Sequence, residues 1–280
     1  TILVLGGTGK VGRQLAPLLK AADVPALIAS RSAKSVAGVP GVKFDWDDKS
    51  TWEQLFAQYP IDTVHIVVKS TADQAVLNKV FVDFALDKGV RRIVLLSGSP
   101  VEEGGPTMGK THQYLHELGD QGKVEWAVLR PSWFFESFTE HRGLSVKEQG
   151  KLYSATGSGR IPFVSTENIA AVALHALTSP EPPNKEFLIL GPELLTYSDV
   201  ADLFTSVLGK KVEYVELSEA ELAETATSFG IEPAYVVLLC AMETGVKNGA
   251  EDRTNDLIKT VTGKEPRRFR DFIEENKSVW

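Results

Sequence analysis

The 280-residue sequence is poor in cysteine and has no long apolar run. Cys240 is its one cysteine, so an intrachain disulfide is impossible, and the reducing cytoplasm is the expected compartment. No stretch approaches the roughly 18 consecutive apolar residues of a membrane-spanning helix, so we expect no membrane association. The opening residues TILVL lead directly into glycines without a basic segment. This predicts a first β-strand rather than a secretion signal.

The sequence also has fewer basic than acidic residues. The chain has 30 Lys and Arg against 37 Asp and Glu, which gives a formal net charge of −7. Nucleic-acid-binding proteins usually carry a basic stripe, whereas the basic pairs here are short and scattered. We therefore predict no nucleic-acid partner. A hydrophobic content of 43% is typical of a globular chain with a substantial core.

Strand-like and helix-like segments alternate through the first half, which predicts βαβ units and a parallel sheet. Continuous apolar strands such as VHIVV and RIVLL indicate burial on both faces. The predicted sheet strands are 2–5, 25–29, 42–44, 63–68, 92–96, 124–129 and 186–190. The predicted helices around them are 10–22, 49–58, 72–88, 107–119 and 166–177. The fold class is therefore α/β, a doubly wound parallel sheet of the Rossmann type.

The pattern loosens after residue 131. Further helices are predicted at 139–148, 197–208, 219–229, 233–248 and 268–276, with a short strand at 212–215. We expect residues 1–150 to form a Rossmann domain and residues 151–280 a mostly helical substrate lobe. The two are interleaved, because the strand at 186–190 returns to the first sheet.

A G-x-x-G-x-x-G motif links the first strand to the first helix. Side chains at its glycines would block a pyrophosphate from the backbone N–H groups of the helix N-terminus. The motif alone is weak, but here it follows a strand and opens an amphipathic helix, as a dinucleotide site requires. The predicted cofactor residues of this turn are Gly6, Thr8, Gly9, Lys10, Val11 and Gly12.

The end of the second strand reads Ala-Ser-Arg-Ser and lacks the acidic residue that would bind the ribose hydroxyls of NAD. Arg31 and Ser32 stand there instead, followed by Lys34. A guanidinium makes strong charge-assisted hydrogen bonds to a phosphate. The sequence therefore predicts NADP(H), with its 2′-phosphate on Arg31 and Ser32.

Three further strand ends should meet the ligand, because ligands of such sheets bind outside the carboxyl ends of the strands. Asp45 follows the third strand and is a candidate acceptor for the adenine amino group, or alternatively a residue of the loop before the next helix. Lys69 ends the fourth strand and Ser97 the fifth. Both are predicted to face cofactor or substrate.

Familiar catalytic patterns are absent. None of the six tyrosines has a lysine four residues later, there is no G-x-S-x-G elbow, and the histidines lack metal-ligand spacing, so no metal is predicted. The remaining candidates for a proton donor are His112 and Tyr114, at the start of the helix after the fifth strand. His112 is alternatively a surface or cofactor-orienting residue. Glu136, within an aromatic run, is a candidate for attracting a cationic substrate.

Several segments resemble the NmrA-like branch of the atypical short-chain dehydrogenases, and within it the fungal festuclavine and agroclavine dehydrogenases. The glycine motif is shared widely. The segments 129–137, 151–170, 191–212 and 242–249 are specific to the alkaloid reductases, and Met108-Gly109 with His112 also matches. Ser137 and Lys110 depart from the pattern of these relatives.

The resemblance implies NADP(H), a small alkaloid-like substrate and hydride delivery to an iminium or conjugated carbon. It also implies that the segment from Pro131 to Trp133 borders the nicotinamide. Reduction of an iminium ion needs no proton, which agrees with the missing tyrosine–lysine pair. Two alternatives stay open: an NADP(H)-using cyclase or isomerase of alkaloids on the same scaffold, and a non-catalytic NADP sensor. The oligomeric state stays open too.

Overall fold

Seven parallel strands form the main sheet of the computed structural model, which describes residues 1–68, 74–228, 230 and 233–280. The described residues contain these seven strands and two more, β7 and β9, which form a separate sheet. In chain order they are β1 Ile2–Leu5, β2 Ala26–Ser30, β3 Gly41–Lys43, β4 Thr63–Ile66, β5 Arg92–Leu96, β6 Glu125–Pro131, β7 Lys151–Ser154, β8 Lys185–Ile189 and β9 Glu213–Glu216. The order in the main sheet is β3-β2-β1-β4-β5-β6-β8. Chain order therefore reverses between β1 and β4, and such a reversal opens a crevice at the carboxyl ends of these two strands.

The α-helices of the described residues are α1 Lys10–Ala21, α2 Lys49–Gln58, α3 Gln74–Asp87, α4 Met108–Asp120, α5 His141–Gln149, α6 Thr166–Thr178, α7 Tyr197–Leu208, α8 Glu219–Ser228, α9 Pro233–Lys247, α10 Leu257–Thr262 and α11 Phe269–Glu275. Five of them, α1, α2, α3, α4 and α6, cover the two faces of the main sheet. Short 3-10 helices span Phe135–Thr139 and Lys277–Val279. The α/β fold class predicted from the sequence is confirmed.

The core explains why the strands read as continuous apolar runs. All four residues of β1 are buried, and Leu3 lies beside Leu27 of β2 and Val64 of β4. One face of the sheet packs against α2, α3 and α4 around the stacked rings of Phe44 and Trp52. Helices α1 and α6 pack against each other. Because both faces are covered, a polar residue on the inner part of a strand loses its contact with water.

The chain divides into two compact units. The first unit comprises Thr1–Pro131, Thr166–Ile189 and Val261–Gly263; the second comprises Ser132–Ser165, Leu190–Thr260 and Lys264–Trp280. The change falls at the end of β6, where the chain leaves the sheet. Strand β8 pairs with β6 in the main sheet.

The second unit has its own small parallel sheet, β7 with β9. The sequence analysis missed β7, and it also missed α10. Aromatic side chains fill this unit's core, where the rings of Phe138 and Phe163 contact each other and each contacts Tyr197 and Phe269. Among the described residues, no helix has both the length and the apolar character needed to cross a membrane.

Candidate functional site

The turn between β1 and α1 depends on glycine at two positions. Gly6 adopts a φ of +63°, and a Cβ placed on it would lie 2.9 Å from Cβ of Val67, next to β4. A Cβ on Gly12 would lie 2.4 Å from Cα of Gly7, so any side chain there would push the turn away from the helix. The glycines thus allow the turn, the helix start and the end of β4 to approach closely.

The N-terminus of α1 offers main-chain donors at this turn. Gly9 is its N-cap residue and supplies no side-chain cap, and the first turn carries no acidic residue. The amides of Val11 and Gly12 have no hydrogen-bond acceptor in the described part of the chain. Lys10 is the first residue of the helix, and the carbonyl of Thr8 accepts a hydrogen bond from Nε of Arg13 at 2.7 Å. Free amides at the positive end of a helix dipole suit a phosphate anion.

Arg31 directly follows β2 and borders the same crevice. Its side chain is exposed, and no carboxylate among the described residues pairs with it. Ser32 is exposed beside it, and its hydroxyl oxygen lies 3.4 Å from that of Ser30. An unpaired guanidinium between two serines is a suitable partner for a phosphate dianion.

The crevice holds a cavity of ≈ 260 Å³. Small-molecule pockets usually span about 300–1,000 Å³, so this cavity suits one part of a dinucleotide. It is lined by Gly6, Thr8, Ala29, Ser30, Arg31, Phe44, Asp45, Trp46, Asp47, Val67 and Val68. The ends of β1, β2 and β4 and the loop after β3 thus converge on one ligand-sized space.

Asp45 and Trp46 form the wall that follows β3. The Asp45 carboxylate accepts a hydrogen bond from the Asp47 amide at 3.1 Å, and the Asp45 carbonyl accepts one from the Trp52 indole at 2.7 Å. Asp45 therefore also shapes the loop before α2. Trp46 is half-buried and packs edge-on against Phe44 and Phe81, each at 5.2 Å between ring centroids. These hydrogen bonds and ring contacts hold Asp45 and Trp46 in place at the wall of the cavity.

The sequence analysis assigned two other positions, Lys69 and Ser97, to the carboxyl edge of the sheet. Lys69 lies outside the described residues. Ser97 directly follows β5, and its amide donates to the Leu129 carbonyl at 2.7 Å. Its buried hydroxyl has no hydrogen-bond partner among the described residues. A buried hydroxyl without a partner is costly, so a bound ligand is a natural partner for it.

His112 is buried against a group of charged side chains. Its Nε2 lies 3.8 Å from a carboxylate oxygen of Glu103, and its Nδ1 lies 3.9 Å from one of Glu186. Burial lowers the pKa of His112, and the two carboxylates only partly offset that effect. Arg130 completes the group with a hydrogen bond to Glu186 at 2.7 Å. His112 is therefore a buried residue beside two exposed carboxylates, and it does not line the cavity.

Tyr114 lies on a different face of α4. Its hydroxyl donates a short hydrogen bond to Asp83, near the middle of α3, and accepts one from Lys79 at 3.2 Å. Asp83 lies nine residues after the start of α3, or about 14 Å along the helix. Burial and the Asp83 carboxylate raise the pKa of Tyr114. The structure thus brings neither Tyr114 nor His112 into the group around the cavity.

The remaining predicted residues follow the end of β6. Pro131 is the last residue of that strand, and its carbonyl accepts from the Ser99 amide at 2.8 Å. In the second unit, the Trp133 carbonyl accepts from the Val164 amide at 2.9 Å, which fixes the local backbone. Glu136 is half-buried in the 3-10 helix Phe135–Thr139. No group of three or more His, Cys, Asp or Glu side chains that could hold a metal occurs among the described residues.

The residues of the first unit fit a dinucleotide with a phosphate on its adenosine ribose. The glycine turn leaves space beside free amides, and Arg31 supplies an unpaired cation at the end of β2. The sequence analysis missed Val67 and Val68 as lining residues. Their position at the end of an apolar strand of the predicted parallel sheet is the signal that could have identified them.

The fold and this site define a Rossmann-type dinucleotide-binding protein. The family model described as NAD(P)H-binding matches residues 6–180. The chain belongs to this NAD(P)H-binding family.

Curated relatives match the chain over its whole length. Agroclavine dehydrogenase of Claviceps fusiformis is 41% identical and covers 100% of this chain and 98% of its own length. Festuclavine synthase II of Penicillium roqueforti is 42% identical, and festuclavine dehydrogenase of Aspergillus fumigatus is 41% identical, each with 99% of its own length covered. The resemblance predicted from the sequence segments is thereby confirmed.

Solved structures share the fold at lower identity. The NADP(H) complex of Citrobacter sp. triphenylmethane reductase superposes with a TM-score of 0.82 at 21% identity, over 98% of this chain and 99% of that one. The NADPH complex of an Escherichia coli NADPH-dependent quinone oxidoreductase gives 0.83 at 19% identity, over 99% and 100%. These likenesses establish the fold.

Proposed function

We propose that the protein is an NADPH-dependent oxidoreductase of fungal indole-alkaloid biosynthesis that delivers hydride to an iminium or conjugated carbon of its substrate. The observation that carries this proposal is the full-length identity of about 41% with agroclavine and festuclavine dehydrogenases. The single cysteine suits work in the reducing cytoplasm.

The cofactor is assigned to the first unit. The amides at the start of α1 hold the pyrophosphate, Arg31 and Ser32 hold the 2′-phosphate, and Asp45 and Trp46 border the adenine. The unpaired Arg31 side chain supports NADP(H) over NAD(H), since the end of β2 has no carboxylate for the ribose hydroxyls. Ser97 and the backbone of Pro131 are assigned to the nicotinamide end.

The proposed reaction does not require the protein to donate a proton to the substrate. NADPH supplies a hydride when bound, and an iminium carbon that accepts it becomes an amine without taking up a proton. The surroundings of Tyr114 support this choice, because its hydroxyl donates a hydrogen bond to Asp83, and burial lowers the pKa of His112, which disfavours its protonated form. Neither needs to act as an acid. Trp133 is assigned to the face of the substrate, and Glu136 offsets its positive charge.

Turnover of NADPH with a cyclic indole-alkaloid iminium ion tests the proposal. We expect the reduced-nicotinamide absorbance to fall in step with the appearance of the saturated amine in mass spectrometry. Catalysis of ring formation with NADP⁺ alone would replace this function with a cyclase or isomerase. Tight binding of both cofactor forms without turnover of any iminium or enone would indicate a sensor. The names of the relatives favour neither of these two outcomes.

A further inference from the structure

A buried ion pair in the second unit joins α5 to α9. The Glu243 carboxylate is fully buried and accepts a hydrogen bond from the Arg142 guanidinium at 2.9 Å. Its other oxygen accepts from the Ala155 amide, just after β7, at 2.6 Å. The Arg142 side chain is only 19% exposed. The carboxylate thus fixes Arg142 against the main chain of the small sheet.

The same guanidinium lies over two aromatic rings. It is 5.0 Å from the ring centroid of Trp133 and 5.3 Å from that of Tyr197, both within the range of a cation–π contact. Burial alone would lower the pKa of Arg142, but Tyr197 and Glu243 raise it more, so the group stays charged. Tyr197 is itself buried among Phe138 and Phe163. It therefore forms a fixed base for the guanidinium.

Trp133 is the more exposed of the two aromatic partners of Arg142. Its backbone is fixed by the hydrogen bond from Val164, but its indole is half-buried at the border of the aromatic core. The indole plane is therefore set by the contacts of its ring, among which the Arg142 guanidinium is a directional one. Buried ion pairs contribute little to stability when compared with apolar side chains of the same volume. Stability alone is thus a poor reason for a buried carboxylate at Glu243.

We propose that Arg142, locked by Glu243, is a positioning residue that fixes the indole plane of Trp133 against the alkaloid ring. This inference rests on the proposed function, which assigns Trp133 to the substrate face. Loss of the stacked guanidinium would let the indole rotate, and a substrate held against it would leave the geometry needed for hydride transfer.

Arg142→Lys separates stacking from charge. Lysine keeps the positive charge beside Glu243 but lacks the planar, stacking guanidinium. We expect kcat with the iminium substrate to fall about tenfold, with an unchanged KM for NADPH and a melting temperature lowered by only a few degrees. Arg267→Lys is the matched control, since Arg267 lies 5.5 Å from the Phe272 ring centroid and pairs with Glu275 in the same unit. The control should stay within about twofold of the wild type.

Fluorine NMR of fluorotryptophan-labelled protein reads the indole directly. The chain has five tryptophans, and Trp133→Phe identifies the resonance of Trp133. We expect Arg142→Lys to shift or broaden that resonance and leave the other four in place. An unmoved Trp133 resonance, or an unchanged kcat in an active enzyme, would overturn the inference. If the wild type turns over no iminium ion, the proposed function fails, while the resonance still tests the positioning role. If the single variant does not fold, the charge-free double variant R142Q/E243Q gives the same two readouts.

Discussion

His65 should make the fold sensitive to mild acid. It lies in the middle of β4, beside Val4 of β1 and Val94 of β5, and its side chain is fully buried. Neither ring nitrogen has a hydrogen-bond partner among the described residues. Burial lowers its pKa from 6.5 to about 4, because the surroundings do not solvate an imidazolium. The unfolded chain, with a normal imidazole, therefore binds a proton more readily than the folded one.

The size of the effect follows from linkage between protonation and folding. The folded pKa is below the unfolded one, so the stability is fully present above about pH 6.5 and is lost as the pH falls towards about 4. The difference corresponds to about 3.4 kcal/mol in total. Between about pH 7 and about pH 5 the loss is about 1.8 kcal/mol. This is a large share of the stability of a typical domain, about 5–15 kcal/mol.

His65→Leu removes the titrating group at nearly constant volume. Urea unfolding of the wild type and the variant at the two pH values gives four free energies of unfolding. We expect the wild type to lose about 1.8 kcal/mol more than the variant on acidification. Carboxylates with lowered pKa values, such as Asp62 and Asp83, affect both proteins equally and cancel. His175→Leu, on an exposed position of α6, is the matched control. Equal losses in the wild type and His65→Leu would refute the reasoning.

Three further predictions concern the first unit. Arg31→Ala should weaken NADPH binding about ten- to a hundredfold and leave NADH binding unchanged, since only NADPH carries the 2′-phosphate; titration calorimetry with both cofactors measures this. Gly12→Ala should abolish the binding of both, because its Cβ would meet the Gly7 backbone at 2.4 Å; the same titration measures it. Arg92→Met should cost about 1–3 kcal/mol of unfolding free energy in urea, because Arg92 donates to the Leu177 and Ser179 carbonyls at the end of α6, at 3.2 and 2.8 Å.

Each of these three variants is paired with a control substitution. Lys34→Ala removes the same charge as Arg31→Ala outside the cavity and should change NADPH affinity far less; a matching loss would show that only net charge matters. Gly245→Ala changes a glycine of α9 whose added Cβ would lie 3.8 Å from its nearest neighbour, Cβ of Ala250, and it should keep full cofactor affinity. Arg91→Met, on the exposed neighbour of Arg92, should leave stability within about 0.5 kcal/mol. If Arg92→Met lowered the free energy of unfolding no more than Arg91→Met does, the stabilising role of the hydrogen bonds from Arg92 to the end of α6 would be contradicted.

Local patterns were enough to predict the main sheet. Strands β1 and β5 and helices α2 and α7 begin and end where the sequence predicts, because periodicity and the caps at Asp48 and Thr196 are local signals. Strand β7 escaped prediction because its four residues gain their pairing from β9, about 60 positions later. Helix α10 escaped because six residues give little periodicity.

In the site, too, the residues with local sequence signals could be predicted, and those that depend on contacts between distant residues could not. Arg31 and the glycine turn were readable because each directly follows a strand. The surroundings of His112 were not readable, since Glu103 comes from a loop and Glu186 from β8, far away in the chain. For the same reason no pattern pointed to Arg142 and Glu243, which are separated by 101 positions. Tertiary contacts of this kind decide whether a polar residue acts on a ligand or on its neighbours.

Hydride transfer is tested most directly by isotope labelling. The wild-type protein is incubated with an indole-alkaloid iminium ion and NADPH that carries deuterium at the transferable position of the nicotinamide, and the amine is analysed by mass spectrometry and NMR. The account predicts one deuterium at the former iminium carbon, on a single face. An amine without deuterium, or no amine at all while the protein still binds NADPH, would contradict it.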